Sequence, residues 1–375
     1  MVFALLGSLF DGAELNLIGY PLVYISESLH VTSIALITVS TVQGFASILG
    51  GFMGSRILAG LGMGGLFGLC FSMFTECWKT GRRGTMGGVI QAMYFVGEIV
   101  TEIIIFIFLS TLGHDLGWRF GYLTIGVIST VIGIASIKLL PESKQWLNYQ
   151  QHLKNGTLPP ELRRTKVPFV DIFRPEFLYG TVLFMVLSTA MFLTTNSVGA
   201  YLSTYLLKTQ HLSLNTVSVI VLLGYVATIA AYTLTGVVSD MIRRKYAFSA
   251  ACALGVIGFV WFLVLLTHGT AHVGPNFWAW PTFWALMICA GAAGGFGVLG
   301  VWMSEFFPTR IRATGSSASY YVGRGLGAGV FPLFALAIAG TVPFALTLGI
   351  IGPTAGLVGS LITPDRTGRK IADLE

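Results

Sequence analysis

The chain has 375 residues, of which 54% are hydrophobic and 10% charged, and its mean hydropathy is +0.78. A soluble domain carries about 25% charged residues, so this composition excludes an ordinary soluble domain and indicates a polytopic membrane protein. The net charge of +6 does not form a stripe for nucleic acid, because the basic residues sit in short loops between apolar runs, as the positive-inside rule describes.

A membrane span needs about 20 mostly apolar residues. On that basis eleven spans are predicted: 1–25, 33–54, 57–77, 85–110, 118–140, 178–206, 215–238, 247–267, 279–303, 314–338 and 342–362. The first opens on "MVFALLGSLFDG", has no Lys or Arg before Arg56, and is interrupted by Asp11 and Glu14. It therefore reads as a span and not as a cleaved signal peptide, which wants a basic start and a small-residue cleavage site. Only Ser55-Arg56 separates the second span from the third. The third begins with "GLGMGG", which satisfies G-x-G-x-x-G. A dinucleotide loop would follow a strand and carry an acidic residue about 20 positions on. Here the glycines open a span, and Gly60, Gly64 and Gly68 fall at i, i+4 and i+8, a flat strip for close helix packing.

The polar stretch 141–176 divides five spans from six. The expected organisation is thus a first helical bundle over 1–140, a linker over 141–176, a second bundle over 177–363 and a tail over 364–375. Basic residues cluster at Lys79–Arg83, in 138–174, at Arg243–Lys245, at Arg310 and Arg312, and at Arg366–Lys370. The alternate loops 111–117, 268–278 and 339–341 have none, and 207–214 has only Lys208. This alternation assigns the clusters, the linker and the C-terminus to the cytoplasm. Cys70, Cys77, Cys252 and Cys289 lie in or at the ends of apolar runs with neither disulfide nor metal-ligand spacing, so they read as small apolar side chains. No metal and no cofactor is predicted, and the six histidines fall in loops or at span ends.

An internal repeat is visible at an offset of 229 residues, where 62–87 matches 291–316 through Gly62/Gly291, Gly65/Gly294, Phe67/Phe296, Gly68/Gly297, Glu76/Glu305, Thr80/Thr309, Arg83/Arg312 and Thr85/Thr314. Two membrane bundles built from one ancestral unit are related in this way. A second correspondence, Gly236–Asp240 against Gly51–Ser55, has an offset of 185. The two offsets differ by 44 residues, about one basic loop and one span, which marks a gap in the first half between Gly51 and Gly62.

Several segments carry a family resemblance. Gly236, Asp240, Arg244 and Lys245 stand where G-x-x-x-D-R-x-G-R-R has its fixed positions, with Met241 and Arg243 in place of an Arg and a Gly; Ser55 takes the Asp position in the first-half copy. "PESKQWL" (141–147), "EFFPTRIRATG" (305–315) and "TPDRTGR" (363–369) resemble the motifs P-E-S-x-x-W/Y-L, E-x-x-P-T-x-x-R-x-x-G and P-E-T-x-G-R. Together these residues resemble the major facilitator superfamily. "FDGAELNLIGY" and "VGRGLGAGVFP" (322–332) are similar to the D-G-x-D and G-R-x-G-x-x-x-x-P motifs of its metabolite:proton and aromatic-acid:proton symporter branches, with Glu14 replacing the second Asp. The resemblance implies an all-α fold of two pseudo-symmetric bundles, with eleven spans here for the family's twelve.

Ionisable groups inside a span cost several kcal/mol unless they face a wet cavity or a partner. Away from span ends they are Asp11, Glu14, Glu98, Glu102 and Arg324. Asp11 and Glu14 are i, i+3 and Glu98 and Glu102 are i, i+4, so each pair shares a helix face. A carboxylate in a low dielectric exchanges its proton more readily near neutral pH, and these four are the candidates for proton coupling; a static helix cross-link is the plainer alternative. Arg324 keeps its charge and offers a fork suited to a carboxylate. Under the repeat it maps to Phe95, within one turn of Glu98, so it either docks a substrate carboxylate or pairs with Glu98. Asn196, Gln91, Tyr94 and Tyr320 complete the expected cavity lining. Asp240 with Arg243 and Arg244, and Glu76 and Arg83 with Glu305 and Arg312, are expected to hold the cytoplasmic ends together as a gate.

These residues and the resemblance imply a secondary transporter of the inner or plasma membrane, monomeric, that moves a small carboxylate with protons. The alternatives are a proton-coupled exporter of drugs or metabolites, a neutral-sugar carrier, and a transport-incompetent sensor or remnant suggested by the gap. An enzyme is not expected, since G-x-S-x-G and H-E-x-x-H are absent from the sequence.

Overall fold

The computed structural model describes residues 65–78, 80–139, 144–157 and 168–363, together with Leu9. Otherwise the expected spans 1–25 and 33–54, with Asp11, Glu14, the Ser55-Arg56 join and the tail 364–375, lie outside the described residues.

All described secondary structure is helical, as lipid demands of an open chain whose backbone must satisfy its own hydrogen bonds. Helix α1 (Leu66–Cys77) is the described part of the span expected at 57–77. The helical run Arg83–Leu139 is broken at Gly113 into α2 (Arg83–Gly113) and α3 (Leu116–Ala135). Gly113 takes φ 74°, a left-handed value that costs glycine nothing and other residues about 1–2 kcal/mol; the chain reverses there without a longer loop. Helix α4 (Lys144–Lys154) lies in the polar linker.

Beyond the linker follow α5 (Pro175–Thr209), α6 (Leu214–Met241), α7 (Arg244–Thr267), α8 (Pro281–Phe306), α9 (312–339) and α10 (Val342–Ile362). Proline in the first turn starts α5, α8 and α10, where its fixed φ is preorganised and its missing N–H is not needed. Ser213 caps α6 by accepting from the Thr216 N–H. Among the described residues seven helices are long and apolar enough to cross a membrane: α2, α3, α5, α6, α7, α8 and α10. Helix α9 covers the expected span 314–338 but is divided by a π-helical turn, Gly325–Val330, directly after Arg324. Large apolar side chains stay on the outside: Phe106, Leu234 and Val358 are 62%, 63% and 60% exposed, a pattern that belongs in lipid and not in water.

Two apolar clusters organise the interior. The first joins helices from both sides of the linker, packing Phe67, Phe71, Ile90 and Phe95 of α1 and α2 against Tyr232, Phe296, Trp302, Phe306 and Tyr320. The second, around Tyr205, Phe262, Phe277 and Phe283, draws, among the described residues, on those after the linker.

Candidate functional site

At one end of the molecule, the charged end, the repeat residues are gathered into a buried network. Asp240, in the last turn of α6, accepts from the backbone N–H groups of Gly84 and Thr85, each at 2.7 Å, and from the Thr85 hydroxyl at 2.8 Å. A carboxylate at these first N–H groups satisfies orphan donors of α2 and meets the positive end of its dipole. Arg244 donates to Asp240 at 2.8 Å and holds Glu305 through both carboxylate oxygens, each at 3.1 Å. Arg312 pairs with Glu76 of α1 and donates to the carbonyls of Ser304 and Phe307 at 2.9 and 3.1 Å. Arg244, Glu305 and Arg312 are at most 2% exposed, so each charge depends on these partners. Arg83 donates to the Trp78 carbonyl at 3.3 Å and lies within electrostatic reach of Glu305 and Arg244. Arg243 is exposed, and among the described residues it pairs with none of these carboxylates; Arg244 takes both Asp240 and Glu305.

Glycine sets how closely the two sides of the linker approach. A Cβ on Gly88 would meet the Tyr232 carbonyl and Gly236 Cα, and one on Gly236 would meet the Gly84 carbonyl. Helices α2 and α6 therefore cross backbone against backbone. In the glycine strip of the third span, the Gly68 N–H donates to Ser317 Oγ at 3.1 Å, so α1 lies equally close to α9. Gly60 and Gly64 lie outside the described residues.

Farther along α2 from the charged end sits a polar and aromatic cluster. Glu98 is buried, and Tyr232 of α6 lies within electrostatic reach of both Glu98 and Tyr320. Phe95 has its ring centroid 5.5 Å from those of Tyr225 and Tyr232. Glu102, one turn beyond Glu98, accepts from the Tyr225 hydroxyl at 3.2 Å. Tyr320 is stacked on Phe67 across the two sides, with centroids 3.6 Å apart and planes at 10°. Arg324 is half-buried, its guanidinium 5.7 Å from the ring centroids of Phe192 and Tyr321, a distance at which the ring faces attract a cation.

The other expected lining residues differ in availability. Gln91 is buried and Tyr94 half-buried, one face turn apart on α2. The Asn196 side-chain N–H₂ donates to the carbonyl of Phe192 in its own helix at 2.9 Å, so its amide is partly committed to the backbone. Reading the sequence missed Tyr225, Tyr232, Phe192 and Phe67. Each stands in an apolar run without a charged neighbour, and only helix packing brings Tyr232 to Glu98, Tyr225 to Glu102, Phe192 to Arg324 and Phe67 to Tyr320. Among the described residues no group of His, Cys, Asp and Glu has the arrangement of a metal site.

Long apolar helices paired in this way around a central cluster define a multi-pass membrane fold. The family model described as Major Facilitator Superfamily matches residues 2–332, and the chain belongs to that superfamily. It is similar to the cis,cis-muconate transport protein of Acinetobacter baylyi, 26% identical over 395 residues and covering 94% of this chain and 88% of the relative. It is also similar to the minor myo-inositol transporter IolF of Bacillus subtilis, 23% identical over 385 residues and covering 100% and 82% of the two chains. Among solved structures, the proton:xylose symporter XylE bound to 6-bromo-6-deoxy-D-glucose shares the fold, with a TM-score of 0.63, 19% identity and coverage of 99% and 86%. The chain is thus a multi-pass membrane transporter and not an enzyme.

Proposed function

We propose that the chain is a proton-coupled symporter of a small organic anion, working by alternating access of two bundles, 1–140 and 177–363, joined by the linker 141–176. The observation that carries this reading is Arg324, a cation half-buried in helix α9 and flanked by the rings of Phe192 and Tyr321. Its charge is permanent, and its planar fork suits a carboxylate. The muconate transport protein similar to this chain is named for a dicarboxylate. In the proposed cycle a proton loads on Glu98, Glu102, Asp11 or Glu14, the substrate carboxylate docks on Arg324, and Gln91, Tyr94, Asn196 and Tyr320 line its path. The charged-end network of Asp240, Arg244, Glu305, Glu76, Arg312 and Arg83 acts as the cytoplasmic gate, and breaking it biases an equilibrium of a few kcal/mol. The third helix of the family is absent from the first bundle, the C-terminus lies in the cytoplasm, and the protein works as a monomer.

A second reading, a carrier of neutral polyols, is favoured by the relative named as a myo-inositol transporter. Proteoliposomes separate the two. An inward proton gradient is expected to drive accumulation of radiolabelled cis,cis-muconate or another carboxylate of that class and not of myo-inositol. Accumulation of inositol alone would transfer the assignment to the second reading. If neither gradient nor counterflow moves any carboxylate or polyol, the chain is a transport-incompetent sensor, as the 44-residue gap suggests.

A further inference from the structure

We propose that the hydrogen bond from Tyr225 to Glu102 is a tether between the two sides of the molecule, and that Tyr225 is a positioning residue which limits how far α2 and α6 separate away from the charged end. The inference rests on the geometry of this helix pair and holds whatever the substrate. Helices α2 and α6 run antiparallel, since residues 84 and 85 meet Asp240 while Glu102 meets Tyr225. They touch at three successive levels. At the charged end Asp240 caps α2. Next comes the glycine crossing, where Gly88 and Gly236 leave no room for side chains. Beyond it Phe95 packs against Tyr232 and Tyr225, and the same Tyr225 reaches Glu102.

The crossing is the natural pivot, because backbone packed on backbone cannot slide without losing its contacts. Glu102 lies 14 residues beyond Gly88 in the sequence, about 21 Å along the helix at 1.5 Å per residue. Over that lever a rotation of about 10° moves the tip by about 4 Å, more than a 3.2 Å hydrogen bond tolerates. The contact therefore answers directly to the angle between α2 and α6. Glu98 sits one turn away on α2. Ring packing on Phe95 holds the Tyr225 hydroxyl in place, so little side-chain freedom is lost when the bond forms.

The test is the distance between spin labels on cysteines introduced at Ile107 of α2 and Val219 of α6, both exposed and on the same side of the tether. The background is the full chain with Cys70, Cys77, Cys252 and Cys289 replaced, in lipid nanodiscs. Tyr225→Phe removes a single oxygen and is expected to move the distribution to longer distances, with the ratio of separated to tethered populations rising roughly tenfold or more. Glu102→Leu should do the same, and Glu102→Gln, whose amide oxygen still accepts from the hydroxyl, should move it less. The Tyr225→Phe/Glu102→Leu double variant should go no further than either single one. If Glu102→Leu does not fold, the Tyr225→Phe and Glu102→Gln pair carries the same comparison. An unchanged distribution in Tyr225→Phe, or single-variant shifts that add in the double variant, overturns the tether.

Discussion

Glu76 and Glu305 are equivalent positions of an internal repeat, as are Arg83 and Arg312, yet they make different bonds. Glu305 shares both oxygens with Arg244 of its own side, whereas Glu76 reaches across the molecule to Arg312. Arg312 donates to two backbone carbonyls as well, and Arg83 has the Trp78 carbonyl. The gap between Gly51 and Gly62 takes in the first-half position that would correspond to Arg244. The same motif thus serves a bond within one side at Glu305 and a bond across the molecule at Glu76. Glu305 is held within its own side, whereas Glu76 and Arg312 tie the two sides together.

Substitutions break that comparison in a graded order. Arg244→Ala should cost most, about 3–5 kcal/mol, because it strands Glu305 in the interior and removes a partner of Asp240; thermal unfolding in detergent measures the loss. Gly236→Ala follows, at about 1–3 kcal/mol, since the added methyl would meet the Gly84 carbonyl where the backbones cross. Glu76→Gln should cost about 1–3 kcal/mol and act chiefly on the closed charged end, read as faster alkylation of a cysteine placed at Thr85. Arg243→Gln, on an exposed side chain, should stay within about 0.5 kcal/mol. If Arg243→Gln matches Arg244→Ala, the division of labour between the two arginines is wrong.

Much of this was legible in the residues themselves. Runs of about 20 apolar residues mark the helices, and the fixed offset between Glu76-to-Thr85 and Glu305-to-Thr314 exposes the repeat, because both signals are local in sequence. Choice of partner is not local. Nothing near Asp240 says that its carboxylate caps α2, and nothing near Tyr225 says that it meets Glu102, because both contacts follow from where two helices cross. The break after Arg324 was equally hidden: Gly325–Val330 reads as the middle of a span, and its widened turn is a small adjustment within an unbroken apolar run. Such turns often mark functional positions in helices, and here the turn follows directly on the cation proposed to dock the substrate.

The central claim concerns that cation. Carboxylate counterflow should be measured in proteoliposomes carrying the wild-type chain and Arg324→Gln, with labelled cis,cis-muconate as the probe and melting temperature as the control for folding. The account predicts that the variant melts as the wild type does and loses counterflow by at least about tenfold, the loss of one charge-assisted bond of about 1.5–3 kcal/mol. Counterflow of the carboxylate at the wild-type rate in Arg324→Gln would contradict it.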